Sequence, residues 1–177
     1  MKKLLLLLLL SITLSSCEKD DVCTEETTPR LVLEFFDSTN NATAKNVVNL
    51  VVKADGAATP IVFNSTLSET DATRYLFNGN ILKLPLKIDD TTTRYSLILN
   101  STSTTGGANE DFIQFDYAHQ NVFVSRACGY KTTFTLNNPD GVTKTDATIP
   151  DSFWIQGINI ITNNITSENE THIKIYF

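Results

Sequence analysis

The chain has 177 residues, a formal charge of -6 at pH 7 and 41% hydrophobic residues. That length fits a single domain, and the apolar content is enough to fill a core without help from a cofactor. The acidic balance with few basic clusters sets nucleic acid aside as a partner, because phosphate backbones are held mainly through Lys and Arg.

The first segment in chain order places Lys2 and Lys3 ahead of an unbroken run from Leu4 to Leu10 and a weaker apolar stretch from Ser11 to Leu14. This is the order of a secretory signal peptide. A membrane span needs about 20 apolar residues, and this stretch offers about half, interrupted by Ser11 and Thr13, so no transmembrane helix is expected. Leu14-Ser15-Ser16-Cys17 closes the segment and resembles the lipobox of bacterial lipoproteins. The resemblance implies that residues 1–16 are cut away, that Cys17 carries a diacylglycerol thioether and that the new N-terminus is acylated. An ordinary signal peptide is the alternative, but Leu14 stands where ordinary cleavage wants a small residue. One acyl chain binds a bilayer marginally at about 0.8 kcal/mol per buried methylene, whereas two or three make the anchor permanent. The expected partner is therefore a membrane, and the expected location is the outer membrane, with the domain facing the periplasm or the cell surface. Loss of residues 1–16 leaves 161 residues and a charge of -8.

Residues 17–29 read as an acidic tether, with Glu18, Asp20, Asp21, Glu25 and Glu26 set against Lys19. Acidic residues just after a lipidated cysteine resemble the surface-export signals of Bacteroidota lipoproteins. With Cys17 assigned to lipid, Cys23 and Cys128 remain, and an exported chain with two leftover thiols most often pairs them. A Cys23 to Cys128 disulfide is expected. The six steps from Cys17 to Cys23 then allow only about 20 Å between lipid and domain.

From residue 30 to 177 the pattern is one of short β-branched and aromatic runs at period two, divided by Asn, Asp, Gly, Thr and Pro clusters. The predicted strands are Leu31 to Phe36, Val47 to Lys53, Ile61 to Leu67, Arg74 to Phe77, Ile81 to Ile88, Thr93 to Leu99, Phe112 to Tyr117, Val122 to Ala127, Tyr130 to Leu136, Phe153 to Thr162 and His172 to Phe177. Leu82, Leu84, Leu86 and Ile88 share one face against Lys83 and Lys87, as antiparallel sheets with one wet face require. Tyr95, Leu97 and Leu99 behave likewise, as do Thr132, Phe134 and Leu136. The expectation is an all-β domain, an antiparallel β-sandwich of immunoglobulin-like or transthyretin-like type. Two stretches are predicted as long loops: Asn100 to Asn109, with Gly106 and Gly107, and Asn137 to Asp151, with Asp140 in a Pro-Asp-Gly turn. Loops at the end of a sandwich often carry contacts, so Gly106, Gly107 and Asp140 are candidate ligand-contact residues. Phe153 and Trp154 are further candidates, as a stacking platform for sugar rings, with a core position as the plainer reading.

Signatures of catalysis are sparse. His119 and His172 stand far from a second His or Cys at metal-ligand spacing, so no metal and no cofactor are expected. His119 reads as part of a hairpin turn and His172 as the polar face of the last strand. Pairing of Cys128 with His119 as a nucleophile and base is conceivable, but Cys23 offers Cys128 a simpler fate. Carboxylates come as neighbours, Asp89-Asp90 and Glu110-Asp111 among them, and neighbours on a strand face opposite ways. Facing acids for glycoside hydrolysis would have to come from separate strands. The terminal Phe177 resembles the assembly signal of outer-membrane barrels, yet Ile173, Ile175 and Phe177 equally fit the core face of a sandwich strand.

Taken together, Cys17-Glu18-Lys19-Asp20-Asp21-Val22-Cys23, Thr28-Pro29-Arg30-Leu31, Leu84-Pro85-Leu86 and Cys128-Gly129-Tyr130-Lys131-Thr132 resemble uncharacterised lipoproteins of Bacteroidota. The resemblance implies compartment, domain type and paired cysteines, and no activity. In such bacteria an Asp-Ser/Thr-small or aliphatic tripeptide can carry an O-glycan, and Asp37-Ser38-Thr39 and Asp90-Thr91-Thr92 fit that loose pattern. The functional expectation is a non-enzymatic binding or scaffolding module for an envelope protein or glycan. The alternative is a polysaccharide hydrolase using acids from separate strands.

Overall fold

The computed structural model describes Cys23, residues 27–104 and residues 107–177. The signal segment, Cys17, most of the acidic tether and Gly106 lie outside the described residues. The described residues form eleven strands: β1 (Leu31–Phe36), β2 (Val47–Ala54), β3 (Leu76–Gly79), β4 (Ile81–Leu84), β5 (Thr92–Leu99), β6 (Asn109–Ser125), β7 (Gly129–Leu136), β8 (Val142–Asp146), β9 (Gly157–Ile160), β10 (Asn164–Ile165) and β11 (Ile173–Tyr176). They build two sheets, as the alternation of the sequence requires. One has the order β4-β1-β11-β9, and the other runs β10-β7-β6-β5-β2-β3 with β8 also paired to β6.

All pairings are antiparallel except that of β1 with β11, which is parallel, with Leu33 opposite Ile173 and Phe35 opposite Ile175. A parallel pair cannot be closed by a hairpin. The first and last strands therefore meet only after the chain has passed through the second sheet, and their inward residues seal the core between them.

The core is made by the inward faces of both sheets. Leu31, Leu33 and Phe35 of β1, Leu82 and Leu84 of β4 and Ile173 and Ile175 of β11 pack against Leu50, Val52, Tyr95, Leu97, Ile113, Phe115 and Tyr117. In β2 both Val47 and Leu50 point inward although they are three positions apart. The pairing with β3 shifts register between them, and Asn49 lies in the left-handed region at φ 51°. A bulge that re-aims one side chain needs a residue tolerant of that backbone, and Asn tolerates it better than most. Two core tyrosines tie down the link from β4 to β5: Tyr95 donates to the Pro85 carbonyl and Tyr117 to the Lys87 carbonyl.

Several predicted elements are placed differently. Phe112 to Tyr117 and Val122 to Ala127 are not two strands with a turn at His119; β6 runs unbroken for 17 residues from Asn109 to Ser125. His119 is mid-strand, opposite Phe134, and the hairpin turns at Ser125 to Gly129 instead. Gly129 sits there at φ 69°, which a residue with a Cβ adopts only with strain. The predicted strand Ile61 to Leu67 is a loop that lays Ile61 and Phe63 on the core edge, with the Ile61 N–H donating to the Val52 carbonyl. The predicted loop Asn137 to Asp151 contains strand β8. His172 is not on a polar face. It is fully buried one residue before β11, where its backbone and ring both engage Val32.

Candidate functional site

Alternation between core and solvent along β6 ends at Tyr117. Asp111, Ile113, Phe115 and Tyr117 are buried, but Ala118 to Phe123 are all exposed, so both faces of the strand are wet from there on. Up to Asp116 the strand lies between β5 and β8, and beyond it the partner is β7. The second half of β6 and the first half of β7 are thus a two-stranded arm leaving the sandwich. Near its end Phe123 faces Tyr130 across the ladder, ring centroids 5.4 Å apart and edge to face. These rings are 55% and 70% exposed.

Cys128 lies in the turn of this arm and forms a disulfide with Cys23, with 4.8 Å between their Cα atoms. The Thr132 N–H of β7 donates to the Thr28 hydroxyl at 3.0 Å. Arg30 then reaches the other sheet, where its backbone N–H, Nε and Nη2 all donate to the Glu168 carboxylate at 2.7 to 3.0 Å. Lys83 of β4 adds a contact of 3.1 Å to the same carboxylate. The side-chain hydrogen bonds from Arg30 pull Glu168 down to about 2, helped by the Arg30 backbone and Lys83 and opposed by partial burial. Cys23, Thr28 and Arg30 therefore fix the start of the domain at three points.

Beside this strap His172 accepts the Val32 N–H on Nδ1 at 2.9 Å, which leaves the ring proton on Nε2. Nε2 is buried and makes no acceptable hydrogen bond, although the Ser167 backbone is near enough to favour its proton. Burial pushes the imidazole below its ordinary value, against the opposing pull of Glu170, the Ser167 backbone and Glu168. The ring does the work of a backbone acceptor at the start of the parallel pair.

The opposite end of β6 carries an open groove lined by Ile98, Ala108, Glu110, Thr148, Ile149 and Asp151. Ile149 is 84% exposed there. The two predicted loops meet at this end only in part: Gly107 precedes β6 and is exposed, and residues 147–151 border the groove, but Asp140 does not. Asp140 belongs to the turn before β8, where Asp116 pairs with Gly141 and Asn137, far down the strand. Phe153 is 38% exposed with the Lys144 ammonium 3.9 Å from its ring centre. Trp154 is not a platform for a ligand. It is 7% exposed, donates from Nε1 to the Leu97 carbonyl at 3.1 Å, and packs on Phe35 and Phe177. An indole between two sheets with its one donor satisfied has no face left to offer.

Next to the groove, the fully buried Asp111 accepts the Ile155 N–H on one oxygen while the other lacks a partner. Burial pushes its carboxyl up, with Ile155 and Lys144 opposing. Glu110, its neighbour, faces the groove and accepts from the Ser96 hydroxyl. Sequence reasoning noted the pair only as neighbours pointing opposite ways; their opposite burial bears that geometry out. His119 and Cys128 are not brought together, since His119 lies six residues before Ser125, about 20 Å along the strand. Cys128 is also occupied by Cys23. Among the described residues no group of three or more His, Cys, Asp or Glu side chains is placed to hold a metal ion. No described helix is long and apolar enough to cross a membrane. In the two tripeptides fitting the glycan pattern, Ser38 and Thr91 are both exposed.

These features define an all-β sandwich with a disulfide-closed arm at one end and an open groove at the other. The chain belongs to a family of unknown function, DUF6452, which matches residues 49–177 and so includes the arm, the groove and Glu168. No curated protein and no solved structure matches it.

Proposed function

We propose that the protein is a lipid-anchored module of a bacterial cell envelope, of the Bacteroidota lipoprotein kind, that binds or scaffolds a second envelope component without catalysis. The observation that carries this reading is the placement of two features at opposite ends of β6. A 17-residue strand at about 3.3 Å per residue reaches up to about 55 Å. At one end Cys23 leads back to Cys17 in six residues; at the other, the exposed Ile149 and the groove beside it form a contact face held away from the anchor. Exposed apolar side chains beside an open groove are a common mark of protein or glycan contact.

Crosslinking in native membranes tests the binding. The wild-type chain should yield a reproducible adduct that Ile149→Asp removes without loss of the fold, and no adduct from the wild type would overturn the reading. Cys17→Ala should leave an unlipidated precursor depleted from the membrane fraction, and an unchanged fraction would overturn the anchor.

One observation favours hydrolysis of a polysaccharide as the second reading: Glu110 and Asp151, acids from separate segments, line the same groove. Hydrolysis released by the wild type and abolished by Glu110→Gln would establish it, and the absence of products from envelope polysaccharides would remove it.

A further inference from the structure

We propose that the end of the β6–β7 arm, through Phe123 and Tyr130, rests against the surface of the lipid bilayer as a second membrane contact. This rests on the lipid anchor at Cys17 proposed above. Three observations converge on it.

The first is the aromatic pair itself. Phe123 and Tyr130 are register partners on one face of the arm, and each is more than half exposed. A pair of large rings left in water at the far end of a projecting element is an unfavourable arrangement unless something covers it. Tyrosine, apolar in body and polar at its tip, suits the boundary between headgroups and acyl chains.

The second is charge. The chain holds 20 acidic residues, yet none falls between Tyr117 and Leu136, where Arg126 and Lys131 are the charged groups. An acidic body is repelled by anionic headgroups, whereas each basic residue near such a surface is attracted by about 1 kcal/mol. The strands of the arm bring no negative charge of their own to such a surface, although the acidic tether joins them at Cys128.

The third is reach. The Cys23 to Cys128 disulfide fixes the end of the tether in the turn of the arm, two residues from Tyr130. Six residues back lies Cys17, at most about 20 Å away. The tether brings the arm to the membrane before any other part of the domain. A partner protein at this site would have to fit between the arm and the lipid to which the arm is tied, so the bilayer is the occupant the geometry favours.

The test uses the full lipidated chain reconstituted in vesicles of phosphatidylethanolamine and phosphatidylglycerol, part of the lipid carrying a nitroxide near the headgroup. Phe123→Trp and Tyr130→Trp each put a reporter on the arm, and Ile149→Trp puts one at the groove. The buried Trp154 supplies a constant background read from the wild type. Non-reducing mass spectrometry of the same samples reads the Cys23 to Cys128 link, which checks folding, and the lipid on the N-terminal peptide. With both present, the arm reporters should show blue-shifted, quenched emission, and the Ile149→Trp reporter should show neither. Equal quenching at all three positions, or none on the arm, would overturn the contact while leaving the anchor standing. An N-terminal peptide without lipid would overturn the anchor and this contact with it.

Discussion

Replacing Cys23 and Cys128 together by Ser should remove most of the margin that keeps this domain folded. The disulfide joins residues 105 positions apart, so it encloses β1 to β6 in one loop. In the chain-entropy account a loop of that size restricts the denatured state by about 4.7 kcal/mol at 25 °C. Domains of this size are stable by only about 5 to 15 kcal/mol, so the loss is a large share of the whole. Urea unfolding followed by far-UV circular dichroism is the assay, and with a slope of about 2 kcal/mol/M the midpoint should fall by about 2 M. The double variant should also lengthen the tether. With Cys23 released, the next attachment among the described residues is that of Thr28 to β7, eleven steps from Cys17, and the reach grows from about 20 to about 40 Å. Energy transfer from a dye on the sandwich to labelled lipid reads that distance. An unchanged midpoint in the double variant would refute the cross-link as a stabilising element, and an unchanged distance would refute its control of the tether.

His172 should make the fold acid-sensitive in a window of its own. Its folded value lies below the ordinary 6.5, so the unfolded state binds the proton first, and stability present above 6.5 is lost as pH falls through the folded value. His172→Asn, which keeps an acceptor but does not titrate, should flatten that slope in thermal melts, and a retained slope would contradict it. His172→Leu leaves the Val32 N–H unpaired and should cost about 1 to 3 kcal/mol at pH 7.5. Glu168 acts lower: its contribution is complete above the ordinary 4.5 and disappears as pH falls towards about 2. Because Arg30 is half exposed, Glu168→Gln should cost no more than about 1 kcal/mol at pH 7, and the gap from wild type should close over that range. Trp154→Ala should destabilise by about 3 to 5 kcal/mol as a core truncation. Phe153→Ala should cost about 1 kcal/mol or less, the scale of a surface cation and ring contact. Equal losses in denaturant titrations of the two variants would contradict the placement of these rings.

The parts of the fold that face a core were legible in the sequence, and those with no buried face were not. Leu31 to Phe36 is a strand with the predicted bounds because burial imposes its composition, and the run ending at Leu99 differs from β5 by one residue at its start. Ala118 to Asn121 carry no alternation, because both faces of β6 are wet there and nothing selects an apolar residue at every second position. A strand without a buried face resembles a turn, which is why His119 looked like one. β8 escaped for a related reason: Thr143 and Thr145 are exposed and Lys144 and Asp146 are half buried, so only Val142 carries the apolar signal. Its Thr and Val content and its place directly after Pro139-Asp140-Gly141 were the available clues to a hairpin strand. His172 misled because its alternation with Lys174 and Tyr176 is real in sequence, but it precedes the strand and its ring stands in for a backbone acceptor. Trp154 could be placed by composition alone as core or surface. Contact with both sheets decided it.

The arm raises a physical question of its own, since a two-stranded ribbon is marginal when isolated. Three restraints hold this one. β6 is continuous with the core strand that ends at Tyr117, so the ribbon inherits its direction and twist. Thr28 accepts from the Thr132 N–H on the edge that β6 does not cover, and β10 continues along that edge at Phe134 and Thr135. At the far end, where neither helps, the Phe123–Tyr130 pair and the Cys23 to Cys128 bond close the ladder. A disulfide in the turn of a hairpin would do little for the hairpin if it joined the two strands to each other, because the turn already does so. This one joins the turn to Cys23, upstream of Thr28 and Arg30, which are held on β7 and at Glu168, and so adds a third line of attachment to the two strands. The cross-link stiffens the element through which the tether would pull, and a domain drawn towards a membrane by that tether would arrive arm first.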